Sequence, residues 1–272
     1  YRMALVIGWV AARVSGLFLG AKMRETAARV RRVLGVDERE SMRIARRAWL
    51  QLCWGVVEGM RTPRMTTEWI RKIVDLRDFH MISDNMKEGR GMVLAVPHMG
   101  NWELAGVTCQ RLGVQLMIIV RTQKNPLSDR YLRELRAKAG FESYERESTA
   151  FAGIVRGLRE GKVLAILPDL RAKGGSYRCR YLGAETEIPN GMARFAREAG
   201  VPIVPAFAFR EGWGRHVLRG FDPIQPDLSL DREEDGRRMT QYVMDCFDRA
   251  VREHPDQYFW FNKRWVLGRE QP

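Results

Sequence analysis

Gly91-Met-Val-Leu-Ala-Val-Pro97-His98-Met-Gly100-Asn101-Trp-Glu103-Leu-Ala-Gly106 decides how the rest of this 272-residue chain is read. An apolar run of strand character ends in a proline and then a histidine. A tight, glycine-containing turn follows, and an apolar helical pattern resumes after it. A side chain at the carboxyl end of a parallel strand points into the crevice where α/β sheets bind ligands, so His98 stands where a site is expected. Glu103, in the first turn of the helix, is expected to fold back and accept the imidazole N–H. That hydrogen bond would orient the ring, favour the imidazolium formed on proton abstraction and leave the other nitrogen free as a base. Gly100 and Asn101 are expected to offer backbone N–H groups at the helix N-terminus, a cradle for an anion or an oxyanion. His-x4-Glu alone is common by chance, and a lone histidine at an element's end is more often structural. The whole strand-Pro-His-x-Gly-Asn-Trp-Glu setting is what points to a site.

Outward from this stretch the chain alternates short apolar runs with helical patterns. Met92–Val96, Val114–Val120, Lys162–Leu167 and Val201–Phe209 read as strands. Residues 102–112, 127–139, 149–160 and 190–199 read as helices between them, and 233–253 as a final helix. Gly113, Gly140, Gly161 and Gly200 each fall between a helix and the next strand, where a glycine just past the helix end is favoured. The pattern predicts an α/β fold with a mostly parallel central sheet flanked by helices. Ahead of it, 21–34 reads as a basic helix and 37–60 as a long one. Asp37 is the expected N-cap, Glu40 completes a capping box, and Ile44, Ala48, Leu52 and Val56 recur every four residues. Residues 1–70 are thus expected to form an N-terminal helical, membrane-associating section, and 71–272 the α/β domain, the two as one structural unit. The aromatic run Tyr258–Trp265 is expected to be a packed terminal strand. The first twenty residues are apolar but carry Arg2 and Arg13, marginal for a spanning helix. A core helix and an interfacial anchor both fit them.

Composition narrows the function classes. The net charge is +13, with 46 basic against 33 acidic residues, which calls for an acidic partner or an anionic surface. Basic residues gather at 22–47, at 121–138 and at 171–180, the last two beside candidate site motifs. Four dispersed cysteines, without a C-x-x-C pair, argue against a disulfide framework and a structural zinc and suit a reducing compartment. Four scattered histidines outline no metal cluster. No G-x-S-x-G occurs, so the site has a base and an orienter but no evident protein nucleophile. Direct attack by a substrate hydroxyl on an activated acyl group fits that inventory. Arg121 follows the second strand of the alternating region and is expected at the sheet's carboxyl edge, where a guanidinium holds phosphate bidentately. Lys124 and Asn125 follow it. Asp169 ends the third strand in the same way and is expected to orient Arg121, Arg171 or a substrate hydroxyl. Arg171, Lys173, Arg178 and Arg180 read either as a clamp for phosphate or as a solvated loop.

HMGNWE after GMVLAVP resembles the H-x4-D/E signature of the lysophospholipid acyltransferases, most of all the branch of the bacterial lipid A lauroyl and myristoyl acyltransferases. The resemblance extends over nearly the whole chain. Arg121-Thr-Gln-Lys124-Asn125-Pro126-Leu127, Leu167-Pro168-Asp169-Leu-Arg171 with Gly174-Gly175-Ser176, Asn190-Gly191 with Val201-Pro-Ile-Val-Pro205, and Gln257-Tyr258-Phe-Trp260-Phe-Asn-Lys263-Arg264-Trp265 match its blocks in order. Position 262 is Asn where the family often has His, and Glu103 stands where some glycolipid acyltransferases of the branch carry Asp; these differences leave the acceptor open. The resemblance implies a glycerolphosphate-acyltransferase-like fold and catalysis by His98 and Glu103, and it puts Arg121 and Asp169 in the site; with them Gly100, Asn101, Lys124, Asn125 and Arg171 are expected to bind substrate, Lys124 reading equally as part of a solvated loop. It also implies no bound cofactor, an acyl carrier protein or coenzyme A thioester as acyl donor, and an anionic glycolipid acceptor at the cytoplasmic face of the bacterial inner membrane. A lipid A precursor is the expected acceptor and a phosphatidylinositol mannoside the alternative. Two other classes compete. A nucleic-acid-binding protein rests on the basic pI of 10.0 alone, without any recognition motif, so no nucleic acid is expected as a partner. A non-catalytic membrane scaffold is disfavoured by the intact His98 and Glu103.

Overall fold

The computed structural model describes residues 1–87, 89–120, 122, 125–145, 148–171 and 174–267. Three helices open the chain: α1 (Arg2–Phe18), α2 (Gly20–Leu34) and α3 (Glu38–Gly59). Asp37 caps α3 as expected, its carboxylate accepting from the Glu40 N–H at 2.7 Å. Glu40 does not complete the capping box; its carboxylate pairs with Arg43 instead. After a 3-10 turn at Thr62–Arg64 come α4 (Thr67–Ile73), β1 (Val74–Asp75), α5 (His80–Lys87), β2 (Met92–Ala95), α6 (Trp102–Arg111) and β3 (Leu116–Val120). Then follow α7 (Pro126–Ala139), β4 (Glu142–Glu145), α8 (Ser148–Arg159), β5 (Val163–Ile166), β6 (Ser176–Tyr181), β7 (Ala184–Pro189) and α9 (Gly191–Ala199). The chain ends with β8 (Ile203–Glu211), β9 (Arg215–Gly220), α10 (Arg232–Glu253) and an irregular segment beyond it.

Seven strands form one sheet in the order β1-β9-β8-β2-β5-β3-β4. All neighbours are parallel except β8 and β9. The expected α/β architecture, a mostly parallel sheet flanked by helices with a helical section before it, is therefore what the chain forms. β2 lies at its centre, buried along its whole length, as a strand covered on both faces must be. The short edge strands β1 and β4 carry little periodic hydrophobicity, so the sequence pattern does not announce them. The β6–β7 hairpin pairs apart from the sheet, and its β6 alternates exposed Ser176, Arg178 and Arg180 with buried Tyr177, Cys179 and Tyr181, a period-2 signal that the sequence does carry. The main core gathers the sheet's inner face, α8, α9 and α10 with the aromatic residues Tyr258, Trp260 and Trp265.

Two N- and C-terminal expectations change. Residues 258–265 are packed but are not a strand. They touch the sheet's end loops through two isolated bridges, Met99 with Tyr258 and Leu170 with Trp265. α1 is not a core helix either. Leu5, Gly8 and Ala12 are buried, with Gly8 tight against Trp54 of α3. Met3, Val6, Ile7, Val10, Val14, Leu17 and Phe18 lie exposed at the three- and four-residue spacing of one helical stripe. No single helix among the described residues is long and apolar enough to cross a membrane; α1 and α2 pass that test only jointly, and they are bent 97° apart.

The terminal segment is anchored by Trp260, which is fully buried, donates its indole N–H to the Pro255 carbonyl at 2.7 Å and has its own carbonyl held by Arg29 of α2. Trp260→Ala is expected to cost about 3–5 kcal/mol, as for other buried large-to-small changes, measured as a lowered urea midpoint.

Candidate active site

β2 and β5 run side by side in register, with Ala95 opposite Ile166. Each strand continues for one apolar residue into a proline and then a polar residue: Val96-Pro97-His98 on one, Leu167-Pro168-Asp169 on the other. Equal offsets from paired positions bring the two polar residues together. Asp169 accepts from His98 twice, from the ring Nδ1 at 2.6 Å and from the backbone N–H at 2.9 Å. A carboxylate can only accept here, so Nδ1 carries the proton and Nε2 is left as the basic nitrogen.

Asp169 is fully buried. Burial by itself pushes its carboxyl upward, but the charge and hydrogen bonds of His98, with the Tyr258 hydroxyl at 3.0 Å, outweigh that and hold it below the ordinary carboxylate range. Trp265 donates its indole N–H to the Tyr258 oxygen at 2.8 Å. Trp265 and Tyr258, both of the terminal segment, thus form a chain of buried donors that ends on the Asp169 carboxylate behind the histidine. In front, Trp102 meets the His98 ring edge-on at 5.2 Å and stacks on Phe259 at 6.0 Å. The imidazole keeps a narrow opening, its side chain 16% exposed.

Two sequence expectations are corrected here, at Glu103 and Gly100. The carboxylate that orients His98 is Asp169 and not Glu103. Residue 103 lies on the far side of the turn, where its carboxylate accepts from Arg136 at 3.1 Å. Gly100 does not offer its N–H to a ligand, because that group donates to the Gln257 carbonyl at 2.8 Å. Its positive φ of 58° and the Ala208 carbonyl, 2.0 Å from where a Cβ would sit, explain the glycine. Asn101 is the N-cap of α6, its side-chain oxygen accepting from the Leu104 N–H at 3.0 Å and its amide donating to Glu58 at 2.6 Å. The N–H groups of Asn101, Trp102 and Glu103 have no partner within the helix, while that of Leu104 is taken by the cap.

Glu58 is the second buried carboxylate near this turn. Arg210 grips it with both guanidinium nitrogens, at 2.9 and 2.6 Å, His216 Nε2 lies at 3.2 Å, and the Tyr1 hydroxyl donates to it. Burial raises this carboxyl, yet its hydrogen bonds with His216 and Arg210 dominate and depress it strongly. Burial in turn lowers His216. Neither Glu58 nor Arg210 stands out in the sequence, since each lies within an ordinary amphipathic element.

An apolar cleft of about 200 Å³ opens on α6, walled by Leu52, Gly55, Val56, Gly59 and Met60 of α3 and by Tyr131, Leu135 and Ala139 of α7. Gly100, Asn101, Trp102 and Glu103 line it as well, so it begins at the histidine's turn. Of the residues whose four-residue spacing marks α3, Ile44 and Ala48 are core, whereas Leu52 and Val56 are cleft wall. Val56, Met60, Leu127 and Tyr131 are exposed apolar residues on the two walling helices.

The remaining candidates separate. Arg121 and Lys124 lie outside the described residues, as does Lys173. Asn125 caps α7, its side-chain oxygen accepting from the Leu127 and Ser128 N–H groups at 2.9 and 3.3 Å. Arg171 donates from its guanidinium to the Lys263 carbonyl at 3.1 Å and ties down the terminal segment rather than facing the cleft. Arg178 and Arg180 sit on the β6–β7 hairpin, where Arg178 pairs with Glu185 at 3.3 Å. Among the described residues no cluster of His, Cys, Asp and Glu could hold a metal. All four cysteines are free thiols, and burial pushes Cys109 and Cys179 up to about 12, which leaves them poor nucleophiles. The signal that pairs His98 with Asp169 was nevertheless present in the sequence: two strand-Pro-polar endings, AVPH and ILPD.

A histidine hydrogen-bonded to a buried carboxylate at the carboxyl edge of an α/β sheet, beside a turn that lines an apolar cleft, has the geometry of a general base. Comparison with known proteins gives the class. Residues 3–266 match the family of bacterial lipid A biosynthesis acyltransferases, and the chain belongs to that family. It is 26% identical over 215 residues to a phosphatidylinositol mannoside acyltransferase of Mycolicibacterium smegmatis, covering 77% of this chain and 68% of that one. A phosphatidylinositol mannoside acyltransferase of Mycobacterium tuberculosis is 25% identical over 217 residues, with 77% and 66% covered. A lipid A biosynthesis acyltransferase of Haemophilus influenzae is 22% identical over 179 residues, with 64% and 53% covered. The chain thus spans about two thirds of the mycobacterial relatives' length and about half of the Haemophilus one's.

Because the folded state lowers the Asp169 pKa, its ionisation stabilises the fold fully above the ordinary carboxylate value of about 4. That contribution is lost as pH falls through the lower folded value. Asp169→Asn is therefore expected to be less stable than the parent at pH 7, with the gap shrinking below about pH 4. Urea midpoints across that range read it.

Proposed function

We propose that this acyltransferase moves a fatty acyl group from a thioester, of acyl carrier protein or coenzyme A, to a hydroxyl of an anionic glycolipid. The observation that carries this reading is His98, oriented by Asp169, next to the Gly100–Glu103 turn that lines an apolar cleft. His98 Nε2 takes the proton of the acceptor hydroxyl as its oxygen bonds to the acyl carbon. The C–S bond then breaks, and the leaving thiolate takes the proton back from the imidazolium. The oxyanion formed between these steps faces the partner-free N–H groups of Trp102 and Glu103 at the positive end of α6. The cleft between α3 and α7 holds the acyl chain. Glu103 keeps a place in the site, held by Arg136 at the cleft's polar end to bind the substrate's polar portion. This chemistry requires no bound cofactor.

The exposed apolar stripe of α1, together with Val56, Met60, Leu127 and Tyr131, supports a monotopic seat on a lipid surface. The positive net charge suits an anionic one, and four free thiols suit the reducing side. We place the protein at the cytoplasmic face of a bacterial inner membrane. The family match favours a lipid A precursor as acceptor, whereas the mycobacterial relatives' names favour a phosphatidylinositol mannoside. Both are anionic glycolipids, and both belong in the assay.

Purified His98→Ala is expected to lose acyl transfer from palmitoyl thioesters to these acceptors; near-normal turnover in that variant would overturn the mechanism. Asp169→Asn should lower kcat by on the order of 10⁴-fold, as when a triad carboxylate becomes an amide. Glu103→Gln should act mainly on KM and cost much less in kcat; equal kcat losses in the two would restore Glu103 as the orienter. Gly59→Leu, which builds a side chain into the cleft wall, should lower kcat/KM for a palmitoyl donor by about tenfold, one methylene-scale clash or more, and spare an octanoyl donor. A parallel loss with both donors would place the acyl chain elsewhere.

A further inference from the structure

A closed ring of hydrogen bonds surrounds the turn after His98. Gly100 donates its N–H to the Gln257 carbonyl at 2.8 Å. The Gln257 side chain pairs with the Arg210 backbone in both directions, accepting from its N–H at 2.8 Å and donating to its carbonyl at 2.7 Å. The Arg210 guanidinium binds both oxygens of Glu58. Glu58 accepts from the Asn101 amide at 2.6 Å, and Asn101 is covalently next to Gly100, which closes the ring. Arg210 and Glu58 are both buried, and Arg210 also lies over the Trp54 ring at 5.0 Å.

From this ring we infer that Glu58, although it belongs to the N-terminal helical section, is a positioning residue for the reaction at His98. It holds Asn101 from one side and, through Arg210 and Gln257, holds Gly100 from the other. Two of the three residues that separate the base from the first turn of α6, Gly100 and Asn101, are thereby fixed relative to β8 and to the terminal segment. Glu58 touches neither His98 nor the cleft's occupant; it acts on the angle between the base and the first-turn amides. A pair of buried charges is a poor source of net stability, because desolvation offsets the attraction, but a broken pair costs several kcal/mol. A hub of this kind contributes a unique geometry, and the geometry it specifies here is that of the turn carrying the site. The same contacts couple the docking of α3 to the site's competence. When α3 is not seated, Asn101 loses its amide acceptor and Arg210 its counter-ion.

The inference deepens the acyl-transfer reading and rests on it for its kinetic arm, so the experiment has a second arm that does not. Glu58→Gln, Asn101→Ala, their double variant and Glu58→Met/Arg210→Met are compared with the parent. The measurements are turnover with palmitoyl-CoA and glycolipid acceptor, amide hydrogen exchange of a peptide spanning 98–103, and urea unfolding. Glu58→Gln and Asn101→Ala are each expected to lower kcat by on the order of 10–100-fold, the scale of a small misplacement, with the KM for palmitoyl-CoA changed less than about threefold. Their effects should overlap in the double variant rather than multiply, since they break one path. Glu58→Met/Arg210→Met removes both charges and should recover the unfolding midpoint while kcat stays low and the 98–103 amides exchange fast. The inference is overturned if kcat returns with the midpoint in that variant, or if Asn101→Ala leaves turnover and exchange unchanged. Absence of any acyl transfer by the parent would overturn the functional reading instead. In that case exchange protection of 98–103 still decides the positioning role, for it against fast exchange in the variants and against it when protection is retained.

Discussion

The register between β2 and β5 is the constraint on which the site depends. Parallel strands paired at Ala95 and Ile166 send two short, proline-stiffened extensions off the same edge of the sheet, and equal extension lengths deliver an imidazole to a carboxylate. Proline narrows the backbone choices just before each functional residue, so the hydrogen-bond geometry follows from the sheet instead of from loop flexibility. A one-residue slip would turn every side chain of β2 to the opposite face. Since β2 is buried on both faces, such a slip would force its side chains to repack and would carry His98 out of step with Asp169. The core and the catalytic geometry are therefore specified together.

Around that contact the protein places groups that are unfavourable to bury singly and neutralises them by mutual arrangement. Asp169 is kept ionised in a buried position by two hydrogen bonds from His98 and one from Tyr258. Glu58 is kept ionised by Arg210, with His216 alongside. Each carboxylate reaches the histidine's turn by its own route, one through the ring nitrogen and the other through the residues that follow. Between them runs the terminal segment, whose Tyr258 serves the first and whose Gln257 serves the second. This division suits a site that must keep a base oriented while leaving one side open to a large apolar substrate. The polar support comes from behind and below, and the cleft side remains almost wholly hydrocarbon.

Chain proximity does not decide the partner of His98. His98 and Glu103 are close in sequence, a spacing that predicts a fold-back contact. The helix cap at Asn101 directs the chain so that residue 103 faces α7, where Arg136 meets it. The sequence-distant Asp169 takes the role because strand pairing, not chain proximity, sets distances at a sheet edge. In the same way Gly100 was rightly singled out, but for a different reason. It is a glycine because the Ala208 carbonyl leaves no room for a Cβ, not because its N–H is free for a ligand.

By itself the sequence determined the alternation of strands and helices, the central buried strand, the glycines that end helices and the histidine at a strand's carboxyl end. All of these follow from interactions within a few residues: period, capping and turn chemistry. It also carried the family, because the blocks occur in order along nearly the whole chain. The edge strand β4 was not legible, since it is short and largely exposed, whereas the β6–β7 hairpin left a local trace in the period-2 alternation of Ser176–Tyr181. The partners of His98, Glu58 and Arg210 were not legible either, nor was the cleft between α3 and α7. Such features are set by which surfaces meet after the chain has folded, and a carboxylate's role depends on desolvation and on neighbours that no local pattern encodes. Only the tertiary structure decided that the base at His98 answers to Asp169.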